Sequence, residues 1–205
     1  MQCMIESRGL FMADKIMEES RLKFAFPEKC TVVKFDDTTF YRDYFNKLPE
    51  AKGVDFISVD NDKIAFIEVK NCIGDEGNCR WRIVPNNQKR NTTHTSVNVE
   101  GRDSLDIEVA QKIAMTIAAL IGAKSFGDTK ECLEELKEYI QFLANDNFSD
   151  DSKKRYVILF LEGDFGGKTR TKKMIMKALQ DSMNKKLQWV NCRVSVVDSD
   201  TYDPR

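Results

Sequence analysis

Two stretches, Gly53-Val-Asp-Phe-Ile-Ser-Val59 and Ile64-Ala-Phe-Ile-Glu-Val-Lys70, constrain this chain more than any other part of it. Both are rich in Val, Ile and Phe. Asp60-Asn61-Asp62-Lys63 between them supplies residues that tolerate a tight turn. They read as the two strands of an antiparallel hairpin. Side chains alternate across a strand, yet both parities carry apolar residues here: Val54, Phe56 and Ile57 in the first, Ala65, Phe66 and Ile67 in the second. Such strands belong inside a sheet covered on both faces, not at a wet edge. Asp55, Glu68 and Lys70 are nevertheless embedded in them, and the alternation puts Glu68 and Lys70 on one face.

The remaining elements follow from periodicity. The pattern from Glu6 to about Phe24 predicts a helix, ended by Pro27. Thr31 to Phe35 predicts a strand, and Asp36 to Ala51, with Phe40, Tyr41, Tyr44 and Phe45, a short helix or wrapped loop. Asn71 to Asp103 reads as a long polar loop, with room for a small hairpin at Trp81 to Val84. Ser104 opens the strongest helix, with a wide apolar face from Leu105 to Ile121 and a stop at Gly122. Asp128 and Glu131 read as a capping box, followed by an apolar stripe through Leu133, Leu136, Ile140 and Leu143. Tyr156 to Leu161 is a strand buried on both faces, Thr169 to Met183 a helix, and Val190 to Val197 a last strand. The order α-β-β-β-α-α-β-α-β is that of an α/β fold, a mixed sheet with helices packed on it. A chain of 205 residues suits one domain, 1–205, with a core over about 6–161 and a C-terminal extension of the sheet over 162–205.

Lys and Arg number 32 against 33 Asp and Glu, which excludes both a disordered polyelectrolyte and a chain-wide polycation. No apolar run reaches the roughly 18 residues of a membrane span, and Met1 to Arg8 holds no signal peptide, so no membrane is expected and a cytoplasmic location is. The six cysteines read mostly as reduced thiols, Cys72 and Cys79 included, because a structural zinc site wants four Cys or His ligands and His94 is the only histidine.

Two carboxylates and an ammonium on an apolar sheet must be paired or bind a metal, since burying each ion costs several kcal/mol. Oxygen ligands suit Mg²⁺ or Mn²⁺. A metal held by Asp55 and Glu68 would clamp a phosphate oxygen and lower the pKa of bound water, and Lys70 would orient that water. Asp55 followed by Glu68-Val69-Lys70 resembles the Asp…(Asp/Glu)-x-Lys motif of the PD-(D/E)xK nucleases, which have the restriction-endonuclease-like αβββαβ core. The resemblance spans roughly Glu6 to Leu161. It departs from the motif at Val54, where proline is common. It implies metal-dependent cleavage of nucleic acid, DNA before RNA and endonuclease-like, with Asp55, Glu68 and Val69 at the metal. It equally admits a member that has lost catalysis and only binds nucleic acid or a protein.

Other residues extend this reading. The helix after the motif carries Glu108, Gln111 and Lys112 along one side, where they either reach the metal site or a phosphate, with Lys112 the candidate catalytic residue, or form a solvated stripe on an otherwise buried helix. In this family a first-helix glutamate sometimes joins the metal, and Glu6, Glu18 and Glu19 are the candidates. Arg80, Arg82, Lys89 and Arg90 around Trp81 form one basic set for nucleic acid, and Lys168, Arg170 and Lys172 a second. The acidic side of 131–143 is a candidate surface for a protein partner, and a homodimer would suit cleavage of two strands. Gly163-Asp-Phe-Gly-Gly-Lys-Thr169 is not a P-loop: three residues precede its Gly-Lys where that motif has four. His94 reads as an exposed loop residue.

Overall fold

The computed structural model describes residues 15–88, 102–127, 130–144 and 148–202. Over the described part of the expected first helix the chain is instead a β-hairpin, β1 (Lys15–Glu19) and β2 (Leu22–Phe26), paired antiparallel from Lys15↔Phe26 to Glu19↔Leu22. The period is two, not 3.6. Leu22, Phe24 and Phe26 alternate with Lys23 and Ala25, and with Met17 they pack on a single apolar cluster. Ser20 and Arg21 close the hairpin at φ values of 50° and 65°, the positive values that a two-residue turn between twisted strands demands. Neither is Gly or Asn, so the turn carries no ordinary sequence signal.

The middle of the chain follows its pattern more closely. β3 (Thr31–Lys34) leads through a short 3-10 turn into α1 (Thr39–Asp43), whose Tyr41 N–H donates to the capping Thr38 hydroxyl. β4 (Phe56–Asp60) and β5 (Lys63–Asn71) form the expected hairpin, closed by the Asp60↔Lys63 pair. The expected long loop instead holds α2 (Glu76–Arg82), and no hairpin forms at Trp81 to Val84. Cys79 and Ile83, one turn apart, bury one side of it, and Cys79 is joined to Cys72 by a disulfide, not left as a free thiol.

α3 (Leu105–Ala123) buries Leu105, Val109, Ile113, Leu120 and Ala123, while Ala118 and Ile121 are exposed, so its apolar face is narrower than the sequence predicts. It runs past Gly122, through a 3-10 turn, to Gly127, whose φ of 77° ends it. A further 3-10 segment, Glu131–Leu136, continues into α4 (Lys137–Ala144), and the Asp128 cap lies outside the described residues. β6 (Lys154–Glu162), α5 (Lys172–Lys186) and β7 (Arg193–Val197) complete the fold.

β3-β4-β5-β6-β7 is the order of the five-stranded sheet. The first two pairings are antiparallel and the last two parallel. One face presents Ile57, Val59, Ile64, Phe66, Val157, Leu159, Leu161, Val194 and Val196 to the buried sides of α3, α4 and α5. The other presents Phe56, Ile67, Val69 and Phe160 to the β1–β2 hairpin. A lone two-stranded hairpin is marginal in water. Here Phe24 meets Phe160 edge-on at 5.1 Å and Phe56 at 5.6 Å, and Phe26 lies 5.6 Å from Phe56. Burial of side chains of this size is worth about 1.5–3 kcal/mol each. That packing explains why both faces of β5 and β6 are apolar. Among the described residues no helix is long and apolar enough to cross a membrane.

Candidate functional site

The charged residues of β5 lie on its helix face. Glu68 and Lys70 share the parity of Ile64 and Phe66, so they point under α3, and Ala65, Ile67 and Val69 point to the hairpin. Asp55 sits one residue before β4, at the parity of Ile57. Its carbonyl accepts from the Phe35 N–H at 2.9 Å and its Oδ2 from the Val69 N–H at 2.6 Å. The side chain thus satisfies a β5 amide just beyond the end of β4. The approach to Asp55 is fixed on both sides. The Val54 N–H donates to buried Thr116 Oγ1 of α3 at 3.1 Å. A Cβ at Gly53 would stand 2.7 Å from Phe35 and 2.8 Å from Tyr41, so only glycine fits there.

Glu68 is 0% exposed and Asp55 7%. Lys112, one turn after Glu108 on α3, donates its Nζ to both Glu68 oxygens at 2.8 Å each and lies 3.5 Å from Asp55 Oδ1. Lys70 Nζ is 2.8 Å from Glu68 Oε1 and 3.3 Å from Glu108 Oε1. Arg82 of α2 pairs with Glu108 Oε2. The result is a chain of alternating charge: Asp55, Lys112, Glu68, Lys70, Glu108, Arg82. Burial, and next the Glu68 charge, push the Asp55 carboxyl up to about 7, against the pull of Lys112, the Val69 N–H and Lys70. Burial alone would lower the Lys112 ammonium, but Glu68 and Asp55 outweigh it and hold it above its ordinary value. Burial would likewise raise Glu108, but Lys70, Arg82 and Lys112 together keep it below the ordinary value.

The donor set suits a hard divalent ion, because three carboxylate oxygens of Asp55 and Glu68 converge on the single point where the Lys112 ammonium stands. Among the described residues no group of three or more His, Cys, Asp or Glu side chains is arranged to hold a metal. Two carboxylates are the protein share that Mg²⁺ commonly takes, the rest being water and substrate phosphate. The Val69 side chain is apolar and on the hairpin face, so this residue enters the site only through its backbone.

Sequence reasoning assigned several residues differently. Arg82 belongs to the charged chain, not to an exposed basic set, while Arg80 is exposed on α2 and Lys89 and Arg90 lie outside the described residues, as does His94. Lys172 is committed within the fold, 2.6 Å from Asp198 and 3.7 Å from Glu162, with its ammonium over the Phe165 ring. Lys168 and Arg170 are exposed on the turn between β6 and α5. That turn leaves the sheet at the end where Lys70 sits, since Lys70 pairs with Leu161 and Asn71 with Glu162. The same glycine-rich turn reaches α5 only at Lys172, where Thr171 caps it. Glu18 and Glu19 pair with Lys23 and Lys34, not with the charged chain, and Glu6 lies outside the described residues. Gln111, exposed, accepts from half-buried Lys52 at 2.9 Å and takes no part. Asp36, after β3, was not foreseen. Its carboxyl is raised by burial, partly offset by Lys34 and Lys112, and its buried Oδ1 has no hydrogen-bond partner.

Residues 38–205 match a family of unknown function (DUF6661), and the chain belongs to that family. No curated protein and no solved structure matches the chain.

Proposed function

We propose that this chain is a metal-dependent nuclease of the PD-(D/E)xK kind, cleaving phosphodiester bonds in nucleic acid, DNA before RNA. One observation carries the reading: Asp55, one residue before β4, and Glu68 of the adjacent antiparallel β5 direct three oxygens at one cation position, with Lys70 at 2.8 Å from Glu68. The strand order supports it. β3, β4 and β5 form a meander, α3 and α4 cross over, and β6 joins parallel to β5, as the αβββαβ core requires. The described residues begin with the β1–β2 hairpin, and that core's first helix is not among them.

In this reading Asp55 and Glu68, with the Val69 backbone, would hold Mg²⁺ or Mn²⁺, which supplies Lewis acidity toward a phosphate oxygen and a more acidic water. Lys70 orients the attacking water and offsets charge that develops on the phosphate. The apolar strands around the pair keep bulk water from screening these charges. Lys168 and Arg170, exposed at the same end of the sheet, would meet the backbone of the nucleic acid.

A second reading is a nuclease fold that binds without turnover. It is favoured by the internal balance of the cluster, where Lys112, Lys70 and Arg82 answer Asp55, Glu68 and Glu108 one for one. Linear, circular and single-stranded DNA incubated with Mg²⁺ or Mn²⁺ separate the two. The nuclease reading expects product from wild type and a loss of about 1,000-fold in Glu68→Gln and Lys70→Met, with unchanged circular dichroism. Salt-sensitive binding without product would establish the second reading, and neither binding nor product would sink both.

A further inference from the structure

We infer that Lys112 is a displaceable cation: it neutralises Asp55 and Glu68 in the metal-free protein, yields its place to a divalent ion, and then contacts a substrate phosphate. The inference rests on the nuclease reading and assigns Lys112 a positioning role within it. The geometry is specific. Lys112 Nζ lies 2.8 Å from both oxygens of Glu68 and 3.5 Å from Asp55 Oδ1, and no other cation touches Asp55 among the described residues. Two carboxylates buried this close together are costly without a cation between them. Lys112 meets that need while no metal is bound. Nothing else could do so from α3, since Glu108 is acidic and Gln111 faces Lys52.

A divalent ion is the stronger occupant. It carries twice the charge of an ammonium, and carboxylate oxygens approach Mg²⁺ to about 2.0–2.1 Å. The ammonium rides on a flexible four-carbon stem, so it can leave without moving α3. Charge accounting then ties the metal to the substrate. Asp55, Glu68 and Glu108 are balanced by Lys70, Lys112 and Arg82. A divalent ion added to this set leaves an excess of positive charge on the released Lys112 and its surroundings. A phosphodiester is an anion that removes part of that excess. Metal and nucleic acid therefore bind better together than apart, and the coupling is reciprocal.

The test is titration of Mn²⁺ into wild type, Lys112→Met, Lys112→Gln and Lys112→Arg by calorimetry, with and without a single-stranded oligonucleotide carrying non-cleavable phosphorothioate linkages. The inference expects both neutral variants to bind Mn²⁺ alone at least tenfold more tightly than wild type. It expects Lys112→Arg to bind no more tightly than wild type, and the oligonucleotide to tighten Mn²⁺ binding in wild type but little in Lys112→Met. Two neutral variants guard against one that misfolds, and thermal melts identify it. Equal or weaker Mn²⁺ binding in both neutral variants, with wild type still cleaving DNA, would overturn the inference and leave the nuclease reading standing. Absence of Mn²⁺ binding in every protein, together with absence of cleavage by wild type, would overturn both.

Discussion

α3 serves two buried aspartates, Asp106 in its own first turn and Asp55 through Lys112, and they are held on opposite terms. Asp106 is fully buried and fully answered. Ser104 Oγ donates to it at 2.5 Å, Ser182 Oγ at 2.7 Å, Lys186 Nζ at 2.7 Å and the Asn86 N–H at 3.2 Å. Burial would raise its carboxyl, but Lys186, Ser104 and Ser182 together hold it below the ordinary range. Asp55 has one amide and part of a lysine that it shares with Glu68, and burial pushes it up to about 7. The first is a clip that ties the start of α3 to the end of α5. The second shares its one cation, Lys112, with Glu68, which Lys70 also answers, and a carboxyl left this poorly matched is the arrangement expected where a site has a task besides holding the fold together.

The largest expected difference between them is in stability. Asp106→Ala strips Lys186 of its carboxylate and two buried hydroxyls of their acceptor, and should cost about 3 kcal/mol in urea unfolding. Asp55→Asn removes one of two competing charges and keeps the shape, so at pH 8 it should leave stability unchanged or raise it. A comparable loss in both variants would erase the distinction.

The next difference is in the pH profile. A carboxyl raised on folding binds a proton in the native state that the unfolded state has released, so its stabilisation falls as pH rises between the two pKa values. For Asp55 that window runs from about 4 to about 7. The metal-free protein should lose stability across it, by at most about 1.4 kcal/mol per pH unit, and Asp55→Asn should flatten the slope. A lowered carboxyl acts in the opposite sense. Asp106 stabilises above its ordinary value, and that contribution disappears as pH falls through its native pKa. Asp106→Asn should therefore flatten only the acid limb. Melting temperatures from pH 3 to pH 8 for both variants decide the matter.

The smallest effect concerns what approaches from outside. Replacing Lys168 and Arg170 with Ala should leave melting unchanged and lower the salt dependence of duplex binding by about 0.9 in logarithmic slope for each phosphate that is no longer neutralised. Lys172→Ala belongs to a different class, because it strips Asp198 of its ion pair and should lower the melting temperature.

How much of this was legible beforehand depends on how local each signal is. Asp55, Glu68 and Lys70 could be placed because alternation along a strand and a tight Asn61-Asp62 turn determine which side chains meet. Helical spacing put Glu108, Gln111 and Lys112 on one side of α3 but did not separate the two that join the charged chain from Gln111, which turns to Lys52. The β1–β2 hairpin escaped because Ser20 and Arg21 adopt positive φ without being Gly or Asn, and because Phe24 also fits a helical stripe. Arg82 was misplaced because α2 is anchored by Cys79 to Cys72 and by Ile83, anchors that its polar surroundings do not announce. The Asp106 clip was invisible for a simpler reason: Ser182 and Lys186 reach it from the far end of the chain.

That same difference in reach bears on how the molecule assembles. All six members of the charged chain lie between Asp55 and Arg82 or on the first half of α3, and β4 meets β5 across a two-residue turn. The clip and the nine-residue ladder from Lys63↔Lys154 to Asn71↔Glu162 instead join distant parts of the sequence. Chain entropy favours short closures first. As the polypeptide leaves the ribosome, every residue that neutralises the carboxylate pair has emerged before β6 has been made. The opposing charges of the site can thus satisfy one another during synthesis, and the C-terminal strands close over a cluster that is already paired.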